Sequence, residues 1–246
     1  MSEIQISVVA PCFNEEHNVA ILASRLVSAA TTHAISIEVI FIDDGSLDET
    51  WKELLLVQQR FPKQVVLVQH VRNQGIATSW RSGIASARGQ VICFIDSDLQ
   101  NRPESVVDLY RIYTLSNVDL VRGVRVPVGK QNFLRKLMSR VLNVILNLAF
   151  SMNSRDNKSG FVLGSRTCIE RITQFSGDYR HYQTFLGVAA HSKNFQVIEI
   201  DTPFDERVFG KSFLLGNTFR TVFMTLRDIS VARQEFRKAP RGLRWR

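Results

Sequence analysis

Short apolar runs alternate with amphipathic segments along the first hundred residues. Runs that are apolar throughout are typical of strands buried on both faces of a parallel sheet. The segments between them repeat their apolar residues at helical spacing. We therefore predict a doubly wound α/β unit, with a mostly parallel sheet and helices on both faces. The predicted strands are residues 4–11, 37–46, 65–71 and 91–98, and the predicted helices are residues 14–32, 47–61 and 75–89.

Two later helical segments combine apolar and basic residues. A further strand is predicted at 119–126, followed by a long helix at 131–152. One face of this helix is apolar. That face is compatible with burial on the domain and with a position in a membrane interface. Residues 213–236 repeat the basic amphipathic character. The apolar face comprises Leu134, Leu137, Met138, Val141, Leu142, Ile145, Leu148 and Ala149.

The length and charge of the chain limit the possible organisations. Its 246 residues fit one α/β domain with a helical extension, for which we expect bounds of 1–215 and 216–246. The net charge of +8 is uneven: residues 120–155 hold seven basic and no acidic residues, and residues 220–246 hold eight basic and two acidic ones. This distribution predicts polyanionic partners: phosphates, an anionic membrane face or nucleic acid.

Cysteine usage and the N-terminus favour a reducing compartment. The three cysteines, Cys12, Cys93 and Cys168, are widely spaced and suggest neither a disulfide framework nor a zinc site. The N-terminus lacks the features of a signal peptide, and no apolar run approaches the roughly 20 residues of a membrane span.

Polar residues follow three of the predicted strands, at residues 11–15, 43–46 and 96–100. In parallel sheets, ligands bind beyond the carboxyl ends of the strands. Asp96 and Asp98 are two residues apart and can face one ligand. Two such carboxylates favour a hard divalent cation, Mg²⁺ or Mn²⁺, that also carries a phosphate, although a solvated turn would have the same sequence. The glycine-rich motifs of Rossmann dinucleotide sites and P-loops are absent from the sequence.

Three stretches of the chain resemble family 2 glycosyltransferases with the GT-A fold. They are ISVVAPCFNEE (6–16), EVIFIDDGSLDET (38–50) and the segment 72–104, which ends in DSDLQNRPE. The likeness is strongest to polyprenyl-phosphate glycosyltransferases, including dolichyl-phosphate mannose synthases, and covers about residues 4–215. Asn101 and Arg102 stand where that family usually has His and Pro.

The resemblance implies a set of roles. It implies a nucleotide-sugar donor, linked to UDP or GDP, and a cation held by Asp96, Asp98 and Gln100. The implied donor-binding residues are Pro11, Phe13, Glu15, Asp43, Asp44 and Asp96. The implied catalytic residues are Asp98, Arg125, Asp156 and Arg207, and the implied acceptor-phosphate residues are Arg135, Arg140 and Ser212.

The acceptor decides whether a general base is needed. A polyprenyl phosphate is already ionised, whereas a saccharide hydroxyl, as in cell-surface polysaccharide synthesis, needs a base. Asp156 is the first candidate, followed by Asp178 and His181, although Asp178 is equally compatible with a helix cap and His181 with a surface histidine. Phe213 stands where the family usually has lysine, and Lys211 is nearby.

Other classes fit less well. A nucleic-acid-binding protein would use the basic tail but leaves the three polar strand ends without a role. A nucleotidyltransferase usually has a glycine-rich basic loop after its first strand, unlike PCFNEE here. We therefore expect a metal-dependent, inverting glycosyltransferase that does not bind nucleic acid. It would lie at the cytoplasmic face of a membrane and transfer a sugar to a lipid-linked acceptor.

Overall fold

The structure, a computed structural model, describes residues 3–129, 133–175, 179, 182–207 and 218–236, without the side chains of 133–135 and 218–226. The strands are β1 (Ile6–Cys12), β2 (Ile37–Asp43), β3 (Val65–Gln69), β4 (Val91–Phe94), β5 (Leu120–Pro127), β6 (Val162–Ser165) and β7 (Val197–Phe204). The helices are α1 (Val19–Thr32), α2 (Thr50–Arg60), α3 (Ile76–Ser86), α4 (Ser105–Leu115), α5 (Phe133–Phe150), α6 (Arg166–Ile172), α7 (Thr184–Ser192) and α8 (Thr218–Glu235).

The strands form one sheet in the order β3-β2-β1-β4-β6-β5-β7. Strand β6 is antiparallel to both of its neighbours, and every other pair in the sheet is parallel. Val162, which begins β6, pairs with Phe94, which ends β4. The segment before β6 therefore reaches the same edge of the sheet as the residues that follow β4.

Side chains alternate between two apolar clusters, one on each face of the sheet. In β1, Val9 belongs to one cluster while Val8 and Ala10 belong to the other. The first cluster packs against α3, α5, α6, α7 and α8, and the second against α1, α2 and α4. Burial of both faces requires helices on both sides. The predicted α/β class, with its mostly parallel sheet, is confirmed.

Helix α5 buries one side and leaves an apolar stripe exposed. Leu142 and Leu146 are buried in the cluster shared with α8. The exposed stripe consists of Leu137, Val141, Val144 and Leu148, whose exposed fractions are 47%, 50%, 55% and 76%. Lys136 and Arg140 are also exposed on this helix. Among the helices that the structure describes, none is long and apolar enough to span a bilayer.

Candidate active site at the carboxyl edge of the sheet

The residues after β4 form the centre of the candidate site. Asp96 and Asp98 follow β4 at the edge where the parallel strands end. Burial, together with the charge of Asp98, raises the pKa of Asp96 to about 7. Burial also raises the pKa of Asp98. The backbone N–H of Gln100 opposes this shift, because it donates a hydrogen bond to Asp98 Oδ1 at 3.1 Å. Removal of these carboxylates from water is the main cause of both raised pKa values, and the nearby Arg125 and Arg207 oppose it only in part.

Arg207, just after β7, lies between two acids from different strands. Its Nη2 pairs with Oε1 of Glu15 and lies 4.0 Å from Asp98 Oδ2. Glu15 is buried, and its other oxygen accepts a 2.5 Å hydrogen bond from Asn18 Nδ2. Burial nevertheless raises the pKa of Glu15. The arginine thus brings one positive charge to a group of three acids, of which Glu15 is buried and Asp96 and Asp98 are half-buried.

Arg125 of β5 brings a second positive charge, and its orientation is fixed by Asp156. Nε donates to Asp156 Oδ2 at 2.7 Å and Nη2 donates to Oδ1 at 2.9 Å, a two-point ion pair. Burial alone would raise the pKa of Asp156, but the hydrogen bonds and charge of Arg125 lower it to about 2. The Arg125 guanidinium also lies 5.2 Å from the centre of the Phe204 ring.

The segment that carries Arg207 is attached to the loop after β4. Arg102 donates to both carboxylate oxygens of Asp205, at 2.7 and 2.9 Å. The Asp205 N–H donates to the Gln100 carbonyl at 2.8 Å, and Gln100 Nε2 donates to the Asp205 carbonyl at 3.3 Å. Sequence reasoning did not find this connection, because the partners are more than 100 residues apart.

The polar residues after β2 join two loops at the same edge. Asp44 accepts hydrogen bonds from the N–H groups of Gln74 and Gly75 at 2.9 and 2.8 Å, and its Oδ1 lies 2.7 Å from His70 Nδ1. Asp43 is buried and accepts from the Ser46 N–H at 3.0 Å. Asp44 therefore fixes the relative position of the loops that follow β2 and β3.

The structure brings together the predicted residues Glu15, Asp96, Asp98, Arg125, Asp156 and Arg207. Pro11 is adjacent, since its carbonyl accepts a 2.8 Å hydrogen bond from the Ser97 hydroxyl, and Phe13 follows it in a half-buried position. Arg140 lies exposed on α5. The predictions for Ser212, Asp178, His181, Lys211 and Phe213, and for the Arg135 side chain, lie outside the described residues.

The acids of this site suit a divalent cation that brings ligands of its own. Within the described ranges, no group of three or more His, Cys, Asp or Glu side chains is arranged to hold a metal by itself. Half-buried carboxylates with raised pKa values nevertheless favour a bound cation. A hard divalent ion that also binds a diphosphate completes its coordination with phosphate oxygens. Asp96 and Asp98 fit that arrangement.

The fold is that of GT-A glycosyltransferases. The crystal structure of glucosyl-3-phosphoglycerate synthase from Mycobacterium tuberculosis, in complex with Mn²⁺, UDP and phosphoglyceric acid, is similar with a TM-score of 0.68 and 19% identity. That similarity covers 98% of this chain and 81% of the crystallised one. The model of glycosyl transferase family 2 matches residues 7–175. The chain belongs to this family.

Two curated relatives carry names that mention polyprenyl phosphates. Undecaprenyl-phosphate 4-deoxy-4-formamido-L-arabinose transferase from Photorhabdus laumondii is 27% identical over 208 residues, which are 85% of this chain and 62% of the relative. Dolichol-phosphate mannosyltransferase from Pyrococcus furiosus is 28% identical over 233 residues, which are 92% of this chain and 63% of the relative. The chain thus spans under two thirds of the length of these relatives.

Proposed function

We propose that this protein transfers a sugar from a nucleotide-sugar donor to a lipid-linked phosphate, with inversion at the sugar carbon. One observation carries the proposal: three acids, one buried and two half-buried, and two arginines from different elements converge at the carboxyl edge of the sheet. Family membership and the names of the two relatives support the same chemistry. The donor is proposed to be linked to UDP or GDP.

The arginines oppose the charge that develops on the leaving diphosphate. Arg207 and Arg125 are oriented by carboxylates, so little reorganisation is needed when that charge appears. Mg²⁺ or Mn²⁺, held by Asp96 and Asp98 when bound, would supply further positive charge to the diphosphate. We propose Pro11, Phe13, Glu15, Asp43 and Asp44 as the side of the site that receives the nucleoside.

The lowered pKa of Asp156 and its ion pair with Arg125 favour a phosphate over a hydroxyl as the acceptor. A general base works best with a pKa near the working pH. Asp156 has a pKa lowered to about 2 and is committed to Arg125. We therefore assign it to holding Arg125, in place of the base role considered from sequence. A phosphate acceptor is already ionised and can attack the sugar carbon in line without a base.

The membrane partner is argued from α5. Its stripe of Leu137, Val141, Val144 and Leu148 is exposed, and the basic Lys136 and Arg140 lie on the same helix. An apolar stripe beside cations is suited to the boundary between acyl chains and anionic headgroups. We propose that this helix docks the protein on the cytoplasmic face of a membrane, where a lipid-linked acceptor would be found.

The transfer proposal is tested by a screen of UDP- and GDP-sugars with Mn²⁺ or Mg²⁺, with and without a polyprenyl phosphate. Turnover should require the cation and the lipid phosphate, and Asp98→Asn should lower kcat by about 100-fold or more. The matched control is Asp108→Asn, an exposed acid on α4. Turnover that survives both a chelator and Asp98→Asn would refute the assignment, and faster transfer to a saccharide hydroxyl would refute the phosphate acceptor.

Membrane docking is tested separately by sedimentation with vesicles of anionic or neutral lipid. Binding should need the anionic lipid, weaken in high salt and be lost in Val144→Asp. Leu115→Asp is the control, because Leu115 is 78% exposed but ends α4 at the opposite edge of the sheet. Equal loss of vesicle binding in Val144→Asp and Leu115→Asp would contradict the role of the stripe in membrane docking.

A further inference from the structure

The polar side of α5 is hydrogen-bonded to the loop that carries Asp156, at residues 154–157. Asn143 Nδ2 donates to the carbonyls of Ser154 and Arg155 at 2.7 and 3.2 Å, and its Oδ1 accepts from the N–H and Nδ2 of Asn157 at 2.8 and 3.0 Å. Asn147 Nδ2 donates to the Ser154 carbonyl at 2.9 Å, and its Oδ1 accepts from the Ser154 N–H at 3.2 Å and from Asn157 Nδ2 at 2.8 Å. Two side chains thus make seven hydrogen bonds to one loop.

These bonds hold the backbone on both sides of Asp156. Ser154 and Asn157 are buried, with exposed fractions of 2% and 0%. Each asparagine uses its amide as donor and acceptor together, which alanine cannot do and aspartate does only in part. With residues 154 and 157 fixed, the Asp156 carboxylate is held in place for Arg125.

The sheet holds the same loop from the other side. Arg122 of β5 is fully buried and donates to the Ser159 carbonyl at 3.1 Å. Glu199 of β7 accepts from the Ser154 hydroxyl at 2.6 Å and from the Arg155 N–H at 2.8 Å. The loop therefore lies between two supports, the sheet and α5, and α5 also carries the exposed apolar stripe.

We propose that Asn143 and Asn147 are positioning residues for the proposed transfer reaction, acting on Arg125 through Asp156. Helix α5 then has two roles on two sides: its apolar stripe faces the membrane, and its asparagines determine where the Arg125 guanidinium stands relative to Asp96 and Asp98. This inference rests on the proposed function for its catalytic part. Its structural part, the hydrogen bonding of α5 to residues 154–157, is independent of any activity.

The structural part is tested by amide hydrogen exchange on the full chain. Asn147→Ala should speed exchange at residues 154–157 by about 10-fold or more, because local opening becomes easier. Asn147→Asp, which keeps the side-chain size and the acceptor but turns an oxygen towards the Ser154 carbonyl, is a second variant in case alanine impairs folding. Asn153→Ala is the control, since Asn153 is exposed in the same segment and outside this hydrogen-bond set. Unchanged exchange in both Asn147 variants would overturn the inference whatever the activity.

The catalytic part is tested by a double-mutant cycle with Asp156→Asn. Alone, Asn147→Ala should lower kcat by about 10-fold and leave the donor KM within about 3-fold, as expected for an effect on the transition state. In the Asp156→Asn background the same change should cost less than about 2-fold, because residues acting through one contact are not additive. Additive losses would overturn the inference.

The two proposals can fail separately. If the wild-type protein turns over no nucleotide sugar, the proposed function fails, and so does the catalytic part of the inference. Amide exchange at 154–157 still decides whether α5 holds the Asp156 loop. If the wild type is active and Asn147→Ala matches it in kcat, the proposed function stands and the positioning role is overturned.

Discussion

The ion pair between Arg125 and Asp156 permits a quantitative prediction for Asp156→Asn. The side chains of Arg125 and Asp156 are 25% and 12% exposed, so solvent screens the pair only in part. A pKa lowered from 3.8 to about 2 corresponds to roughly 2 to 3 kcal/mol of stability for the charged form at neutral pH. Asparagine keeps the shape and removes the charge. The variant should therefore lose about that much free energy of unfolding at pH 7.

The sign of the pH dependence follows from the lowered pKa. The stabilisation is fully present above the unfolded-state value of 3.8 and disappears as the pH falls towards about 2, where the wild-type carboxyl is protonated as well. In denaturant unfolding, the difference between wild type and variant should fall by about half between pH 7 and pH 3.

The control for this prediction is Asp201→Asn. Asp201 also pairs with an arginine at 2.7 Å, but its side chain is 64% exposed, so its loss should cost no more than about 1 kcal/mol. The reasoning would be refuted if Asp156→Asn lost less free energy of unfolding than Asp201→Asn. It would also be refuted if the loss in Asp156→Asn did not change with pH.

Three further predictions concern the edge of the sheet. Gly45→Ala should cost about 2 kcal/mol or more, measured by denaturant unfolding, because φ is +72° and a Cβ would lie 2.5 Å from the backbone of Arg72. The affinity for Mn²⁺, measured by calorimetry, should fall about tenfold per pH unit below about pH 7, because Asp96 must lose its proton to bind a cation, and a flat profile would contradict this. Arg102→Ala should change stability by less than about 1 kcal/mol, since Arg102 and Asp205 are 42% and 31% exposed, yet weaken UDP-sugar binding several-fold by loosening the segment after β7. Unaltered donor affinity in Arg102→Ala would show that this pair does not order the site.

The first five strands could be predicted because each is an apolar run next to helical segments. The errors lie at their ends. The strand predicted to 98 ends at Phe94, because the chain leaves the sheet before Asp96. The helix predicted from 14 begins at Val19, because Asn14 adopts a left-handed conformation with φ of 57° and residues 16–18 form a turn. Local polarity does not show where a turn ends and a helix begins.

Two strands of the sheet, β6 and β7, could not be predicted from the sequence. Strand β6 has four residues, Val162–Ser165, and is inserted antiparallel between β4 and β5. So short a run has no measurable periodicity, and its partners are set by tertiary packing. The edge strand β7 was not predicted as a strand either. Only Val197 and Thr202 of its eight residues are buried, so it lacks the continuous apolar run of a central strand.

The periodicity of α5 predicted a single apolar face, and the structure divides it. Leu142 is buried, whereas Leu137, Val141 and Leu148 of the same predicted face are exposed. A helix with apolar residues over a wide arc can be covered on part of it, and the sequence does not specify which part. Asp96 and Asp98 were predicted as site residues because they follow a buried strand. The ion pairs of the site were not predicted, because the partners are far apart in the sequence: Arg207 and Glu15 are separated by 192 positions.

The reversed direction of β6 affects how this site can diversify. Parallel strands supply the edge with residues as the chain exits the sheet, whereas β6 supplies it with residues as the chain enters. Segment 151–161 thus connects a helix to the start of a four-residue strand. A shift of one residue within β6 would turn every side chain of that strand to the other face of the sheet. Six residues of segment 151–161 are buried, so its length is constrained as well. An insertion there would displace Asp156 from Arg125 while the acids after β4 stay in register.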